Sequence, residues 1–64
     1  MIRYKGRNLQ ISQRVFDECM KLKPVPENRK DIVYITEKKR LSRLLQEGDC
    51  YDDMIWLICE RIRL

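Results

Sequence analysis

Sixty-four residues, 44% hydrophobic and 38% charged, make one domain at most. A chain this short buries only about 60% of the surface it exposes when unfolded, so disulfides, a metal or association must help it. Three cysteines (Cys19, Cys50, Cys59) without a histidine or a CxxC pair argue against a disulfide framework and a metal site, and the net charge of +4 is uneven: residues 1–14 hold Arg3, Lys5, Arg7 and Arg14 and no acid, while from Asp31 onward six bases and seven acids nearly cancel.

Residues 1–7 read as a flexible basic arm, either simply solvated or an electrostatic footprint for an anionic partner, of which nucleic acid is the commonest. RNLQI, residues 7–11, reads as a short strand with Leu9 and Ile11 on one face and Asn8 and Gln10 on the other. Arg7 has the parity of the apolar face but lies at its open end. Ser12 then serves as an N-cap for a helix over 13–23, with Ile11 and Phe16 at the spacing of a hydrophobic staple. Val15, Cys19 and Leu22 lie along one face of that helix, Lys21 and Lys23 suit its negative end, and Pro24 and Pro26 stop it. DIVYIT, residues 31–36, predicts a second strand, apolar on both faces. Thr36 caps a helix over 37–47 with Leu41, Leu44 and Leu45 in a stripe, and Gly48 ends it.

Asp49 or Cys50 starts the last helix, with Asp52 and Asp53 at its positive end. Tyr51, Met54, Ile55, Ile58 and Ile62 follow one face, and Trp56, Leu57 and Cys59 widen it well beyond a single stripe. So broad an apolar surface needs a cover, either a second chain or the segment 24–46 of the same one. The six consecutive apolar residues Met54–Cys59 fall far short of the about 18 that a membrane span needs. Free thiols without a secretory signal suit a cytoplasmic location. The expected fold is a single α+β, mainly α domain over 1–64.

Two segments resemble the small archaeal VapB-type antitoxins, which are similar in turn to the ribbon-helix-helix DNA-binding family. In LQISQRVFDECMKLK, residues 9–23, the matching positions are Ile11, Ser12, Val15, Phe16, Cys19 and Leu22. In EGDCYDDMIWLICERI, residues 47–62, they are Gly48, Asp49, Tyr51, the paired Asp52 and Asp53, Met54, Ile55, Leu57 and Ile58. The segment 24–46 between them departs from the family, in which the first helix leads almost directly into the glycine turn. A second register, with IVYIT as the strand and EKKRLSRLLQ as the first helix, closes that gap but loses the staple and puts apolar residues where the family has polar base readers.

The resemblance implies a ribbon-helix-helix-like fold, to which the residue pattern of 24–46 adds a second short strand and an additional helix. It implies a homodimer whose interface is built from Tyr51, Met54, Ile55, Trp56, Ile58 and Ile62, and a strand pair shared between two chains in the DNA major groove. Asn8 and Gln10 would then read bases, and Arg3, Lys5 and Arg7 would contact phosphate or guanine. The function expected on this basis is a DNA-binding transcription regulator, and within that class an antitoxin partnered by a toxin nuclease. The competing class is a small protein-interaction module, an inhibitor or adaptor docking through the apolar last helix. An enzyme is the least expected: a nucleophile would lack its ordinary histidine base, there is no glycine-rich phosphate loop, and no cofactor is implied.

Overall fold

The fold begins with a turn at Lys5-Gly6. In the computed structural model, which describes residues 1–64, Lys5 (φ 49°) and Gly6 (φ 77°) both lie in the left-handed region. A two-residue turn with both central residues at positive φ matches the right-handed twist of the strands it joins. Those strands are β1 (Ile2–Tyr4) and β2 (Arg7–Leu9), antiparallel in the register Ile2↔Leu9, Arg3↔Asn8, Tyr4↔Arg7. Directly opposed residues share a face. Ile2, Tyr4, Arg7 and Leu9 therefore turn toward the helices, and Arg3 and Asn8 turn away. Two expectations are corrected here. Residues 1–7 are not an arm, because 2–4 form a strand. The strand expected over 7–11 ends at Leu9 and pairs with a strand of its own chain rather than a second molecule.

Helix α1 spans Gln13–Met20, and Ser12 caps it from an extended conformation, its Oγ accepting the Val15 N–H at 3.4 Å. Ile11 is buried just ahead of the cap, and Phe16 packs half-buried against the core. The helix stops three residues short of the expected Lys23, consistent with Pro24 disfavouring helical geometry in the residue before it. The Ser12 bond is long, so Ser12→Ala should lower stability by about 0.5–1 kcal/mol, at the weak end for a cap. Urea melts of the two proteins would measure it, and coincident curves would show that the hydroxyl does not act as a cap.

DIVYIT is not a strand. It forms the first part of α2 (Lys30–Ser42), which is entered through a single 3-10 turn at Glu27–Arg29. The β-branched residues cost a few tenths of a kcal/mol each in a helix, but helical spacing puts Val33, Tyr34, Glu37 and Leu41 on one inward side. Leu41 is fully buried, and Leu44 and Leu45 extend the packing beyond the helix end. The same spacing leaves Ile32 (66% exposed) and Ile35 (48%) facing solvent. Thr36 is mid-helix rather than a cap, and the helix expected over 37–47 is the second part of α2, ending at Ser42. Gly48 does take a left-handed conformation (φ 95°), but it sits in the loop after α2, in a turn closed by the Asp49 N–H to the Gln46 carbonyl, and does not terminate the helix.

Helix α3 (Tyr51–Ile62) packs against both α1 and α2. Tyr4 meets Phe16 and Trp56 edge-on, with centroids 6.0 and 6.3 Å apart, and so draws the hairpin over the same core. The core is Leu9, Ile11, Val15, Cys19, Leu41, Met54, Leu57, Ile58 and Ile62. The breadth of apolar surface on α3 thus has a cover within one chain, from the hairpin, α1 and α2. This corrects the dimer interface expected on α3. Met54, Ile58 and Ile62 are fully buried in their own chain, Ile55 and Trp56 are half-buried, and only Tyr51 is exposed. The result is an α+β, mainly α fold of one two-stranded sheet and three helices. The second short strand lies at the N-terminus rather than at 31–36.

Arg40 ties α1 to α2, reaching Glu18 at 3.0 Å and Glu37 at 2.6 Å. All three cysteines are free, and burial pushes the Cys19 thiol up to about 11 and the Cys59 thiol upward as well. Both stay protonated and act as small hydrophobes.

Candidate nucleic-acid interface

The five residues expected to contact DNA fall into two groups. Arg3 and Asn8 are register partners on the outer face of the hairpin, exposed, and neither forms an ion pair or side-chain hydrogen bond within the chain. The other three are engaged with α3 or the loop before it. Arg7, on the inner face as its parity required but beside the turn, reaches Asp53 Oδ1 at 3.2 Å and lies 4.8 Å from the centroid of the Trp56 ring. Lys5, at the turn, pairs with Glu60 at 3.1 Å and rests over the Tyr4 ring. That pair is well exposed, so it is weak and readily exchanged.

Gln10 is the largest departure. It lies beyond the strand and acts as a clasp. Its backbone N–H donates to Asp53 Oδ2 at 2.8 Å, its side-chain Nε2 donates to the Gly48 carbonyl at 2.8 Å, and its carbonyl accepts the Cys50 N–H at 2.6 Å. One residue thus fixes the start of α3 to the end of the hairpin. As a base reader Gln10 is corrected, since its amide is already committed. The hydrogen bonds from the Gln10 backbone and from Arg7 hold the Asp53 carboxyl below the usual aspartate range. The acidic start of α3 stays repulsive to phosphate, because only Asp53 has a cationic partner, Arg7. Asp53 is committed to Gln10 and Arg7, and Asp49 accepts the Gln46 N–H at 2.8 Å, leaving Asp52 as the free carboxylate there.

No family model, curated protein or solved structure matches this chain.

Two further features of the surface were not anticipated from the residue pattern. Arg61 is half-buried behind the hairpin, donating to the Tyr4 hydroxyl (3.3 Å) and to the Met20 carbonyl (3.0 Å) at the end of α1, while its Nε is buried without a partner. It holds α1, α3 and β1 together and is not a free surface cation. The solvent side of α2 shows Ile32 and Ile35 between Arg29 on one end and Lys39 and Arg43 on the other. A helical projection of 31–36 instead of an alternating one would have revealed that face.

Proposed function

We propose that the chain is a small duplex-DNA-binding module that presents the outer face of its hairpin to the major groove. The observation that carries this reading is the pairing of Arg3 with Asn8 on that face, exposed and uncommitted. A two-stranded ribbon is of a size to enter the groove, arginine can bond guanine O6 and N7 in a bidentate way, and asparagine can do the same to adenine N6 and N7. Lys5 at the tip supplies a phosphate contact by exchanging Glu60 for the DNA backbone. A transcription-regulating role and a cytoplasmic location belong to the same proposal. The antitoxin form of the proposal, with a toxin nuclease as second partner, rests on the resemblance of 9–23 and 47–62 alone. No helix is long and apolar enough to cross a membrane.

Titration at low salt with a pool of random duplexes tests it. Arg3→Ala should weaken binding and lower the salt slope by about one unit if Arg3 meets phosphate. Asn8→Ala should cost about 1–3 kcal/mol of discrimination at one base pair. Gln10→Ala should change protein stability rather than sequence preference. Absence of binding by the folded natural protein rejects the proposal. The second reading, a protein-interaction module, would then lead. Its docking surface is no longer α3, whose apolar residues fill the core, but the exposed face of α2.

A further inference from the structure

The solvent side of α2 is an apolar seam with its own charge pattern. Written as a heptad over α2, Ile35 and Ser42 take position d, Ile32 and Lys39 position a, Asp31 and Lys38 both position g, and Thr36 and the C-cap Arg43 position e. Asp31 forms no ion pair, and Lys38 has only the face of Tyr34, 5.3 Å from its Nζ. Both charges are therefore available.

We infer that this face binds a second copy of the chain, with the two α2 helices antiparallel about a two-fold axis near Ile32 and Ile35. In antiparallel helix pairs, g faces g and e faces e. Asp31 then meets Lys38 of the second copy, twice by symmetry. Ile32 packs on Ile35, and Lys39 lies at the outer edge of the seam, where its stem can cover the isoleucines while its ammonium stays in water. No like charges face each other. A parallel pair brings g against e and sets Lys38 against Arg43 twice, which is repulsive. The surface is thus self-complementary in one orientation only, as a two-fold interface requires. The seam is short, so the association is weak, and the rim pairs set orientation more than strength. Both copies keep their hairpins outside the contact, and the inference does not depend on DNA binding.

Sedimentation equilibrium of the full chain without DNA, from low micromolar to near-millimolar concentration, tests it. The mass should rise toward that of two chains. Ile35→Asp should remain monomeric throughout, as should the milder double variant Ile32→Gln with Ile35→Gln, each with a circular-dichroism melt close to that of the natural protein because the residues are exposed. Lys38→Asp and Asp31→Lys should each weaken association roughly fivefold or more, and combining them should restore it, because each contact regains one acid and one base. The melt is followed for Asp31→Lys in particular, since Asp31 also lies in the first turn of α2. A natural protein that stays monomeric, a dimer that survives Ile35→Asp, or a double reversal no better than its parts would each overturn the inference.

Discussion

Leu57→Ala should move the chain's urea unfolding midpoint sharply downward. Leu57 is without solvent exposure on the side of α3 that faces the other elements, within a core of nine buried residues. Truncating a buried leucine costs about 2–5 kcal/mol, because transfer free energy is lost and the surroundings only partly close the cavity. At about 0.05–0.15 kcal/mol per residue, a domain of this length has about 3–10 kcal/mol in all. The substitution therefore removes a large share of the total. Ile32→Ala on the exposed face of α2 is the control, expected within about 0.5 kcal/mol of the natural protein. Urea titrations followed by circular dichroism would compare them. If Leu57→Ala melts with the natural chain, α3 is not the centre of a single-chain core and its apolar surface is free for another molecule.

Asp53→Ala should be the most damaging polar substitution, at about 1.5–3 kcal/mol, the range for a hydrogen bond to a charged group. Its side chain is only 13% exposed, and it accepts both the Gln10 N–H and the Arg7 guanidinium. Most of the effect comes from the Gln10 bond, because Arg7 is 45% exposed and its ion pair is screened. The same carboxylate gives stability a pH dependence. Its folded pKa lies below the ordinary 3.8, mainly through the Gln10 backbone bond. The unfolded chain therefore takes up the proton first as pH falls. The contribution is fully present above the ordinary aspartate value and is lost as pH drops through the lower, folded value. Glu18, held down by its bonds to Lys21 and Arg40, acts in the same direction. Asp53→Asn keeps an acceptor for Gln10 but removes this titration, so its acid limb should be shallower. Parallel acid limbs for the natural protein and Asp53→Asn would show that Asp53 carries no such linkage.

The readable parts of the chain were those where local chemistry and tertiary packing agree. Ser12 could cap and does, and the helical spacing of 51–62 describes a real helix. The strand misread at 31–36 shows the opposite case. Five apolar or β-branched residues in a row satisfy a strand pattern locally, but the spacing of Val33, Tyr34, Glu37 and Leu41 ties them to a helix that a longer window would have favoured. The hairpin was missed for a different reason. Its strands are three residues each, too short for periodicity to register, and its sign was the Lys5-Gly6 pair flanked by Tyr4 and Arg7. At the candidate interface, parity correctly put Asn8 outside and Arg7 inside. It failed at Gln10 because alternation was extended past the point where the strand ends. A neighbouring helix start, invisible in residue order, had claimed that amide.

The stitching of the hairpin to α3 sets the order in which the molecule can come together. Lys5 bonds to Glu60 and Tyr4 to Arg61, separations of 55 and 57 positions. Few contacts in so small a domain could be more remote along the chain. Each requires closure of nearly the whole polypeptide before it returns any energy, which is the situation that slows folding at a given stability. A nascent chain emerging from the ribosome N-terminus first would carry a hairpin with nothing to dock on, since a two-stranded hairpin alone is marginal in water. Productive folding has to wait until the segment through Ile62 is available, and the structure then forms as one cooperative unit rather than in vectorial stages.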